Sequence, residues 1–340
     1  MNDKELIVDL LIRAVWGNIF PELWGKRTHT MGRAYVKNDF HNAFINKITG
    51  FLGELRYASV TRINPAICAG GWFLPVDPAS EDPLENTCYY SVLGSGCSAV
   101  QTTYAGLKKA LPDIPMFLLR PRLDLDLRSL DISSFVYFKF EGGQFNEVGH
   151  DVFFGQWKKK EPGRKPSRLP DIDAEESRDT IAFARKCLIS ADAIDTDLMR
   201  DLLLDRHIFD VELSGSYRKG RPTDLDFIKV KKDGKLKLVD VKYKFVSASN
   251  ELGVNADHLP FFERMDQILG TETAYVVSLR RKSVEWSHLG WYYVPMSEFY
   301  GAESSKGNVG MNGESAIATN MRPLSTFSHW SGYRWDDEKI

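Results

Sequence analysis

The chain has 340 residues, is 43% hydrophobic and 26% charged, and carries a formal net charge of −2. That length accommodates two domains, and the balance is that of an ordinary soluble globular protein. It excludes a membrane-spanning chain, since no apolar run approaches 18 residues, and no global basicity advertises nucleic acid. A near-neutral total still permits a local basic stripe. Lys4, Glu5 and Asp9 interrupt the apolar N-terminal residues, which argues against a signal peptide and for a cytoplasmic protein. Cys68, Cys88, Cys97 and Cys187 show no C-x-x-C spacing and read as reduced, mostly buried thiols.

In chain order, residues 4–16 predict an amphipathic helix, with Leu6 and Leu10, and Ile7 and Leu11, paired at i, i+4. Residues 39–54 predict another, with Phe40, Phe44 and Phe51 on its apolar positions. Tyr89–Leu93 reads as a strand, and Gly94-Ser95-Gly96-Cys97-Ser98-Ala99 turns into a helix ending near Leu111. A nucleophile at such a turn would make Cys97 the centre of a thiol hydrolase, with His150 and Asp151 as base and orienter. A Gly-rich turn beside a buried cysteine is the simpler reading, because glycines at strand-to-helix turns are routine. Strands at Pro115–Leu119 and Ser134–Phe138 complete a mixed α/β segment. Residues 1–155 are therefore expected to form a separate domain for recognition, regulation or oligomerisation.

Residues 156–175 are a basic Pro/Gly linker, whose lysines and arginines also suit contact with phosphates. Residues 195–207 predict a helix with Leu198, Leu202 and Leu203 on one stripe, and Ile208-Phe209-Asp210-Val211 a strand after it. A β-hairpin follows. Phe227, Ile228 and Val230 form one strand, Asp233-Gly234 the turn, and Leu236, Leu238, Val239 and Val241 the return. Asp240 and Lys242 lie two apart and project from one face, and Asp226 converges on them from the neighbouring strand.

The two carboxylates are hard oxygen ligands for Mg²⁺ or Mn²⁺, and the Val241 carbonyl is a further candidate. A bound divalent ion polarises a phosphodiester and lowers the pKa of water, and Lys242 orients that water. Charges set among Val, Leu and Phe are harder to explain as the solvated face of a surface hairpin. Leu259–Leu269 predicts a helix whose Glu263, Asp266 and Gln267 read as an ordinary polar face. Ala274–Leu279 and Gly290–Pro295 predict two further strands. Gly301–Asn320 reads as a loop or tail, and Phe327, Trp330, Tyr333 and Trp335 as aromatics that pack back on the body.

Asp226 with Asp240-Val241-Lys242 resembles the acid-then-(D/E)-x-K motif of the PD-(D/E)xK nuclease superfamily. The resemblance covers about residues 176–300. Pro222 precedes Asp224 by two, so the chain departs from the family name there, and Asp224 is the alternative ligand to Asp226. The family's upstream helical acid maps to Asp197, with Asp201 one turn later as the alternative. The resemblance implies a restriction-endonuclease-like mixed sheet flanked by helices. It also implies a Mg²⁺-dependent endonuclease acting on DNA, working as a homodimer or with a partner subunit or activator, in restriction or anti-phage defence. Arg218, Lys219 and Arg221 before the hairpin, and Lys244 after Lys242, are the candidates for gripping the nucleic-acid backbone. A non-cleaving nucleic-acid-binding subunit that kept the fold is the alternative.

Overall fold

The computed structural model describes residues 3–27, 33–62, 64–76, 82–93, 98–157, 172–173, 175–190, 194–213, 222–244, 250–280, 288–301 and 319–330. The N-terminal half contains α1 (Asp3–Arg27), α2 (Arg33–Thr61), β1 (Ile67–Pro75), β2 (Thr87–Val92), α3 (Val100–Ala110), β3 (Met116–Pro121), β4 (Phe135–Glu141), β5 (Gln144–Val148) and α4 (His150–Phe154). The C-terminal half contains α5 (Arg178–Ile189), α6 (Thr196–Arg206), β6 (Thr223–Val230), β7 (Leu236–Lys244), β8 (Glu251–Asn255), α7 (Leu259–Leu269), β9 (Ala274–Arg280), β10 (His288–Pro295), β11 (Thr319–Pro323) and β12 (Ser328–Trp330).

The protein is mixed α/β. Ten strands form one mixed sheet in the order β12-β10-β9-β7-β6-β1-β2-β3-β4-β5, and β8 pairs with β11 apart from it. The sheet runs through both halves of the chain, because β1 lies antiparallel to β6 with Cys68 opposite Ile228 and Phe73 opposite Thr223. The boundary expected at 156–175 thus falls between strands of a single sheet, and residues 158–171 lie outside the described ones.

Helices cover both faces. On one, α1, α2, α5 and α6 share a core of Val8, Leu11, Phe44, Ile48, Leu188, Met199 and Leu203, which also takes Tyr243 of β7. On the other, Leu107 of α3 and Phe261, Phe262 and Met265 of α7 pack with Ile228, Leu238 and Tyr275. Strands β6 and β7 are central, with helices above and below, which is why they read as nearly continuous apolar runs. Their turn falls at Asp233-Gly234, but it is not the two-residue turn with positive φ at both positions: of the two only Gly234 takes positive φ, +79°, Lys231 donates its N–H to the Lys235 carbonyl, and the Asp233 carboxylate accepts the Lys235 N–H at 3.0 Å.

The strand expected at Ile208–Val211 does not form. His207–Glu212 continues α6 as a wider, π-helical turn, burying Ile208 and Phe209 against Trp72, Tyr90 and Phe117. A short apolar run carries no periodicity that separates strand from buried helix. The deciding contact is Arg206 with Asp210, four residues apart, a pair that only helical winding brings together. Cys68 also departs from expectation, since it is disulfide-bonded, whereas Cys88 is a buried thiol. Phe327 packs back on the body, 6.2 Å from the Tyr275 ring and 6.3 Å from that of Phe299. Among the described residues no helix is long and apolar enough to cross a membrane.

Candidate active site

Strands β6 and β7 pair from Val230–Leu236 down to Phe227–Val239, and there the ladder stops. Beyond it β6 runs on beside β1 to Thr223, while β7 runs on parallel to β9 until Lys244 lies opposite Leu279. The hairpin therefore splits at Asp226 and Asp240. The alternation of β6 breaks at the same place. Leu225 and Ile228 enter one core although they are three residues apart, and Phe227 enters the opposite one. A regular pleat would not put Leu225 and Ile228 on one face.

Side chains occupy the split. Asp226 Oδ2 accepts the N–H of Val241 at 2.5 Å, a donor that a paired strand would direct to backbone. Lys242 Nζ stands 2.7 Å from Asp240 Oδ1 and 3.4 Å from Asp226 Oδ2. Both carboxylates are almost fully buried, while the Lys242 side chain is 32% exposed. One cation thus bridges two buried acids and reaches solvent.

Helix α2 supplies a third acid. It approaches β7 so closely that a Cβ on Gly53 would lie 2.9 Å from that of Tyr243. This contact brings the next residue, Glu54, to the sheet. Glu54, Asp201, Asp205, Asp224 and Asp226 line a cavity of about 360 Å³ together with Arg62, Arg206 and Trp72.

The charges in this cleft shift one another. Burial, reinforced by Asp224, raises the Glu54 carboxyl to about 7, against the pull of Lys242 and Arg206. Burial also drives Asp226 well above the usual carboxylate range; Lys242 opposes this, and Glu54 and Asp240 add to it. Asp224 stays below that range, because Lys242, Lys47, His258 and Arg206 together outweigh its burial. Burial lifts Asp205 to about 6 despite Arg206 and the Trp72 indole N–H, 3.1 Å from both of its oxygens. Burial works against the charge of Lys242, but Asp226, Asp240 and Asp224 hold its ammonium well above the ordinary lysine value.

Next to the cleft, Arg206 forms a bidentate pair with Asp210, Nε to Oδ2 at 2.6 Å and Nη2 to Oδ1 at 2.5 Å. Its guanidinium lies 5.0 Å from the Trp72 ring and 4.9 Å from that of Phe209.

The structure thus brings together Asp226, Asp240 and Lys242, with Asp224 and Asp201 on the same cleft. It does not bring in Asp197. That side chain is 45% exposed on the first turn of α6 and pairs with Arg200 at 3.1 Å and Arg62 at 3.9 Å. Glu54 is the residue the sequence reading missed. Its only local signal is an acid set among Phe51, Leu52 and Leu55, all buried. Val241 contributes its N–H here, where its carbonyl was the expected contact. Lys244 turns inward, donating to the Gly253 carbonyl with its ammonium 5.8 Å from the Tyr275 ring, so it ties β8 to β7. Burial brings it down to about 8. Asp266 accepts from Thr273 and Tyr300, as a structural residue does. Arg218, Lys219, Arg221 and Cys97 lie outside the described residues, and His150 and Asp151 open α4 as exposed residues.

Among the described residues no three carboxylate, imidazole or thiol side chains form a ready metal-binding group. The donor set is nonetheless of the right kind. Asp226 and Asp240 already converge on one cation, all their donors are hard oxygens, and Mg²⁺ commonly uses one or two carboxylates and takes its other ligands from water and phosphate. No family model, curated protein or solved structure matches the chain.

Proposed function

We propose that the chain is a metal-dependent endonuclease that hydrolyses DNA phosphodiester bonds through a PD-(D/E)xK-like site. The observation that carries this reading is the split between β6 and β7, where Asp226 and Asp240 meet on Lys242. A fold built only for stability would fill that gap with apolar side chains, because removing charges from water is costly. Asp226 and Asp240, with Glu54 from α2 in place of Asp197, would hold Mg²⁺ or Mn²⁺. When bound, the ion supplies Lewis-acid polarisation of the phosphodiester and an acidified water. Lys242, the one of the three with solvent access, orients the attacking water and balances charge on the phosphate. Val241 N–H fixes the Asp226 carboxylate in place.

The same observation allows a second reading. Lys242 neutralises the two acids internally, as it would in a non-cleaving nucleic-acid-binding subunit that kept the fold. A restriction or defence role, a homodimer, a partner activator and a cytoplasmic location belong to the proposal as further expectations.

Cleavage of supercoiled plasmid by the wild type and Asp240→Ala, each with Mg²⁺, Mn²⁺ or EDTA, decides between the two. The nuclease cuts only with metal, and the variant loses about a thousandfold or more in rate, the effect of removing several kcal/mol of metal-borne stabilisation. A wild type that neither cuts nor binds Mn²⁺ by calorimetry leaves the non-cleaving reading.

A further inference from the structure

The cavity beside the split hairpin has two walls and a floor that the metal chemistry does not use. Leu55, Ala58 and Arg62 recur at helical spacing, so one stripe of α2 faces it. Leu198, Leu202 and Asp205 do the same on α6. The floor is Ala69-Gly70-Gly71 of β1, with Ala69 opposite Phe227 and Gly71 opposite Leu225. Gly70 and Gly71 leave it bare, because the Leu225 and Tyr90 carbonyl oxygens lie where a Cβ would sit.

Two helices lying on a sheet normally close over it with interdigitated side chains. Here Leu55, Leu198 and Leu202 stop short of one another and leave about 360 Å³. That volume falls within the range of small-ligand sites, which are mostly apolar and carry a few placed polar groups. A slot between apolar walls suits a flat ring system with an apolar face and a polar edge, as every nucleobase has.

The polar lining selects among such rings. Among the described residues five carboxylates line the cavity against two guanidiniums, so it repels a phosphate and favours N–H donors. Asp205 is held ready to accept one. The Trp72 indole N–H, 3.1 Å from both of its oxygens, fixes the carboxylate. An ionised carboxylate has about four lone-pair sites, so acceptor capacity remains. Asp226 lines the same cavity, which sets its occupant beside the bond held at the split.

We infer that the cavity between α2 and α6 receives one nucleobase of the bound strand, turned out of its stack, and that Asp205 accepts a hydrogen bond from its exocyclic amino group. Cytosine, adenine and guanine carry that donor and thymine does not. The inference rests on the nuclease reading for its ligand.

The test is fluorescence anisotropy of the full chain in EDTA at pH 8, where Asp205, raised to about 6, is ionised. The probes are labelled twelve-nucleotide strands of deoxycytidine and of thymidine, with free dCMP as competitor. The wild type is compared with Asp205→Asn, whose amide donates as well as accepts, and with Ala69→Leu, which fills the cavity from an exposed position of β1. The wild type is expected to bind the cytidine strand about tenfold more tightly than the thymidine strand. Asp205→Asn should cut that preference to about twofold or less, and Ala69→Leu should bring the cytidine strand down to the affinity of the thymidine strand. Circular dichroism identifies a misfolded variant, and if Asp205→Asn misfolds, Ala69→Leu alone is read. Equal binding of the two strands by the wild type, or a preference unchanged in the folded variants, overturns the inference while leaving metal-dependent plasmid cleavage, and with it the nuclease reading, intact. Free dCMP that displaces the cytidine strand at equal concentration would make the cavity a site for a free nucleotide, which also overturns it. A wild type that shows the preference but never cuts plasmid would instead overturn the nuclease reading and keep the base pocket.

Discussion

Two buried ionic clusters lie side by side in this protein and are built differently. Arg206 and Asp210 are joined by two hydrogen bonds and walled in by Trp72, Phe209 and Phe51. The cluster at the split hairpin is unmatched. Asp226 and Asp240 share the single ammonium of Lys242, and Glu54 and Asp224 add negative charge nearby. The first arrangement sets a planar cation bidentate on a buried carboxylate, the geometry of a structural pair. The second keeps an excess of carboxylate oxygen next to a cavity, which costs stability and leaves capacity for a further cation.

Three measurements break or sharpen this contrast. The largest expected effect comes from the bidentate pair. Arg206→Ala removes the bidentate partner of the buried Asp210, and should lower the urea-denaturation stability by about 3–5 kcal/mol. A loss below about 1 kcal/mol would mean that Asp210 finds another partner, and the structural reading of the pair would fail.

The unmatched cluster should show the reverse sign. Glu54 has a carboxyl raised from 4.5 to about 7, so the folded state holds its proton more tightly than the unfolded state does. Its contribution is complete below about pH 4.5 and is lost as pH rises through about 7. In EDTA, Glu54→Gln should therefore be more stable than the wild type above pH 7, on the order of 2 kcal/mol, with a flatter profile between the two values. Asp205, raised to about 6, keeps a smaller slope of the same sign in the variant. Identical pH profiles for the two proteins would remove Glu54 from the buried cluster.

The smallest effect separates the acid found in the structure from the one expected beforehand. Asp197 makes exposed pairs with Arg62 and Arg200. Asp197→Ala should change stability by less than about 0.5 kcal/mol and leave plasmid cleavage at the wild-type rate. A large loss of cleavage would restore it to the site.

Much of this was open to reading from the chain. The Asp233-Gly234 turn fixed the hairpin, because its positive φ and its alternating apolar flanks are local properties. With the turn in place, Asp226 had to fall near Asp240 and Lys242. The α7 helix and strands β3, β4, β9 and β10 were legible for the same local reason, as runs of one dominant period. Residues 208–211 were not, because four buried residues fit a strand or a helix equally well until Asp210 finds Arg206.

What only the tertiary structure decided is the set of relations between segments far apart in sequence. The pairing of β1 with β6 joins the two halves into one sheet, and no local pattern encodes which strands become neighbours. Glu54 reaches the site because Gly53 lets α2 press against Tyr243, some 190 positions later in the chain. The sequence by itself determined which residue types could do chemistry and placed three of them on one hairpin. Splitting that hairpin, and surrounding the split with charges from α2 and α6, required long-range packing, since burial and Coulomb interactions depend on distance in space and not on distance along the chain.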